Sequence, residues 1–377
     1  MAGGASVKIV ITGARGLIGW HAASRIHAQI CAARFRGEIA PHELVQIDHA
    51  TFADDQKLAH ALEGADAVLH FAGVNRGEDA AVEQANPQIA RALVRACEMA
   101  GAKPHIVYAN STHAASDTPY GRSKRIAGEV FAASSFAYSD LVLPHIFGEC
   151  ARPYYNNVTA TLIDKIWRGE TPSINADGRV QLLHAGAAAQ VAIDAVVEGR
   201  TGRIAPRGRG LAVADLYAKL VHFHALYMAN IFPDLVDPFD LSLFNSYRTG
   251  GYPGHYPRPL KVNADPRGIL FESAKGGNAA QSFLSTTVPG QKRGDHFHLD
   301  LVERFLVVKG DAIIRIRRVL TDEVHEFRVS GNEPVAIDMP PLHTHNIENP
   351  GKGEVITFFW SHRLFDPANP DTYADLV

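Results

Sequence analysis

The sequence predicts an α/β domain with a parallel sheet, followed by an all-β domain. Three observations lead to this prediction. Short apolar runs alternate with helical patterns to about residue 200, which is typical of a parallel sheet covered by helices. Residues 244–259 are rich in Gly, Pro and Tyr, as a linker or domain-bridging loop would be. Short β-branched and aromatic runs follow, and the turn residues between them indicate an antiparallel sandwich or barrel.

We predict an N-terminal domain over residues 1–245 and a C-terminal domain over residues 246–377. A chain of 377 residues is long enough for two or three domains. The predicted strands of the N-terminal domain are 8–11, 43–47, 67–71, 104–109 and 141–143. Its predicted helices are 19–33, 55–62, 87–100 and 120–133. The predicted strands of the C-terminal domain are 283–287, 304–308, 312–317, 335–339 and 355–360.

Composition and charge are those of an ordinary globular protein. Hydrophobic residues make up 46%, charged residues 20%, and the formal net charge is -3. We therefore expect neither nucleic acid nor an anionic membrane surface as a partner. The three cysteines lie far apart, which disfavours a disulfide framework or a thiolate metal site. The first apolar run is broken by Arg15 and by glycines, unlike a signal peptide or a membrane span, so we predict a cytoplasmic protein.

A glycine-rich turn follows the first predicted strand and opens the first helix. Glycines allow the tight turn and a close approach of the backbone to a pyrophosphate, and the helix N-terminus offers free N–H groups. Asp48 ends the second predicted strand, where a carboxylate binds ribose hydroxyls and repels a 2′-phosphate. Asp48 favours NADH, whereas Arg15 can receive the phosphate of NADPH. The predicted cofactor-binding residues here are Gly13, Arg15, Gly16, Leu17, Ile18, Gly19, Asp48, Ala72, Gly73 and Val74.

Tyr120 and Lys124 form a Y-x-x-x-K pattern that places both side chains on one face of a predicted helix. A phenol is a poor acid or base at neutral pH, but a neighbouring ammonium lowers its pKa. The lysine can also hold the nicotinamide ribose, so we predict that both residues are catalytic and contact the cofactor. Ser111, with Thr112 as its rival, is placed to hydrogen-bond the reacting oxygen. The alternative is an exposed Tyr–Lys pair without function.

These residues resemble the extended short-chain dehydrogenase/reductase superfamily. The resemblance implies a Rossmann domain and hydride transfer at a sugar carbon, with nucleoside-diphosphate sugars as the usual substrates. Two stretches on the substrate side differ from the usual pattern. Val142 and His145 stand where relatives carry Arg and Asn, and residues 184–188 lack aspartates that are often found there.

Residues 290–310 fit G-x5-H-x-H-x4-E-x6-G, the first motif of the cupins. Because residues two apart on a strand face the same way, His296 and His298 can converge on one ion. Glu303 adds a carboxylate, and the second motif supplies His345 as a third imidazole. The predicted metal ligands are therefore His296, His298, Glu303 and His345.

Three imidazoles and a carboxylate suit Zn²⁺, Fe²⁺, Mn²⁺ or Ni²⁺, among which Zn²⁺ is the expected ion. His343 is a rival ligand next to this site. Leu342 stands where the motif normally has glycine, so the local turn can differ. The alternative is a metal-free sugar-epimerase cupin whose histidines act as bases.

Over nearly its whole length the chain resembles the bifunctional capsular-polysaccharide enzymes of the UDP-N-acetyl-L-fucosamine pathway. The resemblance rests on the stretches V-I-T-G-A-R-G-L-I-G, F-A-G-V-N-R, P-Y-G-R-S-K, H-F-H…E-R-F-L-V-V-K-G, T-H-N-I-E-N and F-D-P-A-N-P-D-T-Y. The resemblance implies a C-terminal cupin (double-stranded β-helix, or jelly-roll) domain that epimerises C3 of a UDP-linked 2-acetamido-2,6-dideoxy-4-hexulose. It also implies that the reductase domain reduces C4 with NADPH to the L-talose derivative, and that a homodimer forms through the cupins.

The epimerisation is chemically coherent because a 4-keto group acidifies the C3 proton. The candidate bases are His343, Tyr256 and Lys292, which the sequence does not rank. Two rival hypotheses stay open. The chain can be a single-function nucleotide-sugar enzyme with a structural, dimerising cupin. It can also be a redox-sensing dinucleotide-binding protein, although such proteins typically lose the Tyr–Lys pair.

Overall fold

The computed structural model describes residues 6–175, 177–265, 268–271, 273–276 and 280–377. The chain divides into two compact units. The first comprises Met1–Ile146 and Val180–Gly210, and the second comprises Phe147–Arg179 and Leu211–Val377. Within the described ranges, no helix is both long enough and apolar enough to cross a membrane.

The first unit contains a six-stranded parallel sheet in the order β2-β1-β3-β4-β5-β8. Its strands are β1 (Val7–Thr12), β2 (His42–Ile47), β3 (Ala67–His70), β4 (His105–Ser111), β5 (Tyr138–Leu143) and β8 (Gly202–Ile204). A separate small sheet has the order β6-β7-β9, formed by β6 (His145–Phe147), β7 (Arg179–His184) and β9 (Arg209–Ala212). The predicted doubly wound α/β fold is thereby confirmed.

Helices accompany the strands of the first unit, and the longer ones bury residues against the parallel sheet. They are α1 (Leu17–Phe35), α2 (His49–Phe52), α3 (Asp55–Leu62), α4 (Asp79–Met99), the 3-10 helix Thr112–Ala115, α5 (Pro119–Ala132) and α7 (Ala185–Val197). Three further helices lie in the second unit: α6 (Val158–Trp167), α8 (Val213–Met228) and α9 (Pro238–Gly251). One core cluster packs Val68 and Ile106 of the sheet against Leu93 of α4 and Phe131 of α5.

Helix α4 begins earlier than the sequence predicts. The prediction placed its start at Pro87, because proline is common in the first turn of a helix. In the structure Pro87 lies inside a helix that begins at Asp79. The buried face of α4 continues across the proline, at Val82, Asn86, Ala90 and Leu93. The buried residues before and after Pro87 stabilise the helix, and this offsets the loss of the one backbone hydrogen bond that proline cannot donate.

The second unit carries two five-stranded sheets, in the orders β10-β18-β15-β20-β13 and β17-β16-β19-β14-β21. The first consists of β10 (Arg258–Pro259), β13 (Gln281–Thr287), β15 (Glu303–Lys309), β18 (Val335–Met339) and β20 (Val355–Ser361). The second consists of β14 (Lys292–Phe297), β16 (Asp311–Arg318), β17 (Val324–Ser330), β19 (His343–Glu348) and β21 (Tyr373–Ala374). β11 (Val262–Asp265) and β12 (Gly268–Phe271) form a separate antiparallel pair.

The two five-stranded sheets share one core. Phe305, Ile337 and Phe359 of the first sheet cluster with Ile314 and Ile347 of the second. Every strand pair recorded within these sheets is antiparallel. Face-to-face antiparallel sheets with alternating buried residues form a sandwich, so the prediction of antiparallel β structure is confirmed.

The predicted linker over residues 244–259 is wrong in its first part, because α9 extends to residue 251. The carboxylate of Asp237 accepts a hydrogen bond from the backbone N–H of Phe239 at 2.9 Å and caps this helix. The side chains of Phe244, Tyr247 and Arg248 are fully buried. The predicted boundary between residues 245 and 246 therefore falls inside a packed helix.

Candidate functional site

The glycine turn between β1 and α1 has the geometry that a dinucleotide site needs. Gly13 has φ +70°, and a Cβ atom there would lie 2.6 Å from the backbone nitrogen of Ala72. A Cβ atom at Gly19 would lie 2.2 Å from the carbonyl oxygen of Gly13. The Gly16 N–H donates to that same carbonyl at 2.9 Å. Only glycine fits at Gly13 and Gly19, so both are required for the turn itself.

The N-terminus of α1 is open to an anion. Gly16 is the N-cap residue, no side chain caps the helix, and no acidic residue lies in its first turn. Leu17 and Ile18 are the first helical residues. The helix end therefore presents backbone N–H groups and a partial positive charge, which suits a pyrophosphate.

Asp48 has a structural partner that the sequence did not reveal. Its carboxylate accepts a hydrogen bond from the Thr51 N–H at 2.8 Å and caps the short helix α2. Hydrogen bonds from Thr51 lower the pKa of Asp48, and the nearby charge of Arg15 lowers it further. Asp48 is thus ionised and near Arg15, so the two residues predicted to discriminate between cofactors do lie close to each other.

The loop after β3 is tied to two helices by Asn86, a residue that the sequence reasoning missed. Asn86 lies on α4 with 3% exposure. Its side chain accepts from the Val74 N–H at 2.9 Å and donates to the Val74 carbonyl at 2.8 Å. It also donates to the hydroxyl of Ser123 on α5 at 2.6 Å. A Cβ atom at Gly73 would lie 2.8 Å from the Asn86 amide oxygen, so Asn86 also explains that glycine.

Ser111, Tyr120 and Lys124 come together at the end of β4 and the start of α5. The Ser111 hydroxyl lies close enough to the Tyr120 phenol to lower its pKa. Thr112 is exposed and begins the 3-10 helix, so the geometry favours Ser111 over Thr112. Burial raises the pKa of Tyr120. The nearby Ser111 hydroxyl lowers this pKa, but only partly offsets the effect of burial. The expected lowering of this pKa is therefore wrong for the cofactor-free chain.

Lys124 is buried at the end of the sheet, against Tyr108. Its ammonium donates to the Ala109 carbonyl at 2.5 Å and lies 4.1 Å from the centre of the Tyr108 ring. Burial lowers the pKa of Lys124 to about 7, and the charge of Asp140 opposes that effect. Asp140 is held by donors from Asn110 at 2.8 Å and Tyr138 at 3.0 Å. A lysine so poorly hydrated changes its protonation easily, as acid–base sites require.

In the second unit, the four predicted metal ligands converge. Their ligand atoms all lie within 4.8 Å of one another: His296, His298, Glu303 and His345. His296 lies on β14 and His345 on β19, and the two are paired in register. The Nε2 atoms of His298 and His345 lie 3.2 and 3.5 Å from Glu303 Oε2. No other residue of the C-terminal sheets joins this group among those that the structure describes.

The electrostatics of this cluster are those of a ligand set. Burial lowers the pKa of His296 to about 3 and also lowers the pKa of His345. Burial alone would raise the pKa of Glu303, but bonds and charge from His298 hold it below its ordinary value. His345 Nε2 is buried, and no hydrogen-bond partner for it is found in the described ranges. The hydrogen bond and charge of Glu303 raise the pKa of His298 against the effect of burial. Buried imidazoles around an ionised carboxylate are groups that can bind a divalent cation.

The alternative ligand His343 and the other candidate bases lie outside the converging group of ligands. Leu342 has φ +59°, the left-handed region that favours the glycine usual at this point of the motif. His343 is buried and donates from Nδ1 to the Pro341 carbonyl at 2.8 Å. Tyr256 is buried in the sandwich core, and Lys292 pairs with Asp295 at 2.8 Å near the surface. His343 therefore stays adjacent to the ligands without belonging to the converging group.

A parallel sheet, a glycine turn into an uncapped helix and a Tyr–Lys pair define the class of Rossmann-like dinucleotide-binding proteins. The match to known families agrees with this class. Residues 9–204 match the NAD dependent epimerase/dehydratase family, and the chain belongs to that family. Residues 263–373 match the domain described as Polysaccharide biosynthesis C-terminal domain.

Known relatives resemble the chain from end to end. The UDP-2-acetamido-2,6-beta-L-arabino-hexul-4-ose reductase of Pseudomonas aeruginosa is 27% identical, and the match covers 98% of each chain. The capsular polysaccharide assembling protein CapF from Staphylococcus aureus is 28% identical, with a TM-score of 0.56, covering 98% of this chain and all of that one. A structure of CapF with the inhibitor 3-isopropenyl-tropolone has 28% identity and a TM-score of 0.53 over 98% of this chain and 100% of that one.

Proposed function

We propose that the chain reduces a UDP-linked 4-keto-6-deoxyhexosamine with NAD(P)H, giving the L-talose derivative, and that a metal-binding cupin domain epimerises C3 of the same sugar. One observation carries this proposal. A single chain holds a glycine turn into an uncapped helix, a Tyr–Lys pair whose lysine is buried and, elsewhere, a converging cluster of three imidazoles and one carboxylate. The end-to-end similarity to the Pseudomonas reductase supports the substrate class.

In the reduction, NAD(P)H supplies the hydride, and the side chains of the chain supply the proton and the orientation. Burial keeps the Tyr120 phenol protonated, which suits a group that donates its proton to the carbonyl oxygen of the substrate. Ser111, whose hydroxyl lies near that phenol, can bind the same oxygen. The Lys124 ammonium, fixed by the Ala109 carbonyl, stabilises the phenolate that remains.

We propose that the four-residue cluster of the cupin domain holds one divalent ion, with Zn²⁺ as the expected ion. His296, His298 and His345 offer imidazole nitrogens and Glu303 an ionised carboxylate, a set that borderline cations prefer. A bound cation would replace the interaction with Glu303 that raises the pKa of His298. The ion would supply Lewis-acid polarisation of a carbonyl oxygen. Tropolones carry neighbouring carbonyl and hydroxyl oxygens that chelate metals, so the CapF inhibitor fits the same proposal.

Epimerisation at C3 requires a base that faces the substrate. The 4-keto group acidifies the C3 proton, and later reduction of the ketone removes this acidity and preserves the new configuration. Among the candidates, we favour His343. It lies two residues before His345 on β19, so the two side chains leave the same face of the strand. Tyr256 is a poorer base, because burial raises its pKa well above the ordinary value.

A homodimer through the cupin domain, in the cytoplasm, is also part of the proposal. Strand β13 forms one edge of its sheet. Phe283 and Leu284 on this strand are 41% and 64% exposed. Apolar side chains on an open edge favour association with another chain. Sedimentation velocity should give twice the mass of the chain, and a monomer at all concentrations would contradict this part.

The test of the reductase is incubation with UDP- and dTDP-linked 4-keto sugars in the presence of NADH or NADPH. We expect loss of reduced-nicotinamide absorbance with a UDP-linked 4-keto-6-deoxyhexosamine. Tyr120→Phe should slow this loss by about 10²–10⁴-fold, the usual contribution of a general acid. A protein that oxidises NAD(P)H with none of these sugars, or equally fast without Tyr120, would contradict the assignment.

The metal is tested by elemental analysis of protein purified without chelator. About one equivalent of a transition metal per chain is expected, and His296→Ala should lower this content. Less than about a tenth of an equivalent of any transition metal, with full activity retained, would contradict the metal proposal and favour the metal-free epimerase alternative. The structural-cupin alternative is tested separately by the activity of cupin variants, because a purely structural cupin leaves epimerisation unaffected.

A further inference from the structure

We propose that the C-terminal segment 371–377, here called the C-terminal strap, orients the proposed metal ligands, and that Asp371 is its main positioning residue. This inference rests on the proposed metal site. The strap contributes none of the four ligands, yet it contacts the backbone or side chain beside each part of the cluster. Such outer partners commonly fix imidazole orientation and raise metal affinity.

Asp371 fixes His298 directly. The backbone carbonyl of Asp371 accepts a hydrogen bond from His298 Nδ1 at 2.6 Å. Because Nδ1 is engaged by this carbonyl, Nε2 is the nitrogen that faces the cluster, where it donates to Glu303 Oε2 at 3.2 Å, a proton that a bound ion would replace. A single carbonyl from the strap therefore fixes which nitrogen of His298 points at the cluster and the direction of the ring.

The Asp371 carboxylate fixes the loop between His298 and Glu303. It accepts hydrogen bonds from three successive backbone N–H groups, those of Leu299, Asp300 and Leu301, at 2.8, 3.0 and 2.9 Å. Asp371 is 5% exposed and has φ +47°, a conformation that ordinary residues avoid. A buried carboxylate that takes three backbone donors holds its loop firmly. The spacing between His298 and Glu303 depends on that loop.

The rest of the strap holds the strands of the remaining two ligands. β21 pairs with β14, where His296 lies opposite Ala374. The Asp375 carboxylate accepts from the Thr344 hydroxyl at 2.8 Å, next to His345 in the chain, and from Arg317 at 2.8 Å. The strap thus pairs with the strand that carries His296, bonds the residue next to His345 and, through Asp371, holds the loop that precedes Glu303.

The test is metal affinity of the full-length chain, measured after chelator treatment by competition for Zn²⁺ with a chromophoric chelator. Asp371→Gly removes the carboxylate while it accepts the positive φ and keeps the carbonyl that binds His298. We expect Zn²⁺ to bind about 10–100-fold more weakly, as with other outer partners of metal ligands. The visible spectrum of the Co²⁺-loaded variant should also differ from that of the wild type. Asp366→Asn, an exposed carboxylate that caps a turn at Ala368, is the matched control and should bind normally.

The outcomes separate this inference from the metal proposal. Equal Zn²⁺ affinity and an unchanged Co²⁺ spectrum in Asp371→Gly would overturn the strap inference alone. A wild-type chain that binds neither ion would overturn both. If Asp371→Gly does not fold by circular dichroism, Asp371→Asn replaces it, because asparagine tolerates the same backbone conformation. This variant removes the negative charge, and an affinity equal to that of the wild type would contradict the role of the carboxylate.

Discussion

Alanine replacements in the glycine turn should separate its folding role from its binding role. Gly13→Ala places a side chain at φ +70° and 2.6 Å from a backbone nitrogen. The conformation costs ~1–2 kcal/mol and the overlap ~1–3 kcal/mol, so the cofactor-free domain should lose about 2–5 kcal/mol of unfolding free energy. Gly19→Ala has only the overlap, with a contact of 2.2 Å, and should lose ~1–3 kcal/mol.

Gly16→Ala is the matched variant with a different expected result. Gly16 has φ -77° and ψ 168°, which any residue adopts, and its added Cβ atom would lie 3.2 Å from the Gly13 carbonyl oxygen. We expect a stability change within ~0.5 kcal/mol but weaker binding of NAD(P)H, since the methyl group lies where the pyrophosphate must approach. Urea unfolding of the cofactor-free protein and fluorescence titration with NAD(P)H measure the two effects. The reasoning is refuted if Gly16→Ala unfolds as easily as Gly13→Ala, or binds the cofactor like the wild type.

Three further predictions concern two buried charges and the carboxylate that is expected to distinguish NADH from NADPH. Burial lowers the pKa of Lys124 from 10.5 to about 7, so the folded chain holds fewer protons than the unfolded chain between those values. Stability should rise by about 2 kcal/mol from pH 7 to 9, and Lys124→Met should abolish this dependence in urea unfolding without cofactor. Asp338→Ala leaves the 1%-exposed Arg304 without its carboxylate partner, which should cost about 3–5 kcal/mol. Arg328→Ala, at an exposed ion pair, should change stability by no more than ~0.5 kcal/mol; thermal unfolding measures both. The wild type should use NADH at least as well as NADPH, and Asp48→Ala should shift initial rates towards NADPH; a strong NADPH preference that survives this change would show that Asp48 does not contact the ribose.

The sequence predicted the α/β half well because its local patterns and its packing agree. Strand β1 and helix α3 are continuous apolar or amphipathic runs with clear ends, and the glycine turn lies between β1 and α1. Pro87 misled the prediction, because proline usually marks a helix start. The signal that reveals the true start is the burial spacing from Val82 through Asn86 to Ala90, which continues across the proline.

The predicted linker failed because two glycines have a packing role. Cβ atoms at Gly250 and Gly251 would lie 2.3 Å from Ile163 and 2.5 Å from Trp167, so both glycines allow α9 to approach α6 closely. A single sequence does not show whether a glycine is required for close packing or for flexibility. Only the neighbouring helix distinguishes them.

The histidine cluster was predictable because its geometry is largely local. Alternation on a strand brings His296 and His298 to one side, and the second motif supplies His345. Leu342 takes the left-handed conformation that glycine would adopt, so the turn survives the substitution. Asn86 and Asp371 were not predictable, because their partners lie 12 to 73 residues away along the chain and no spacing rule connects them.

The most direct test of the account is deuterium incorporation at C3 of a UDP-linked 4-keto-6-deoxyhexosamine in D₂O, read by mass spectrometry. Tyr120→Phe should stop reduction but still incorporate deuterium, because exchange requires neither the phenol nor the nicotinamide. His296→Ala should stop exchange and still reduce a substrate that has already been epimerised. If Tyr120→Phe incorporates no deuterium into any hexulose that the wild type reduces, the epimerase assignment is contradicted, and the C-terminal domain is a structural partner of a simple reductase.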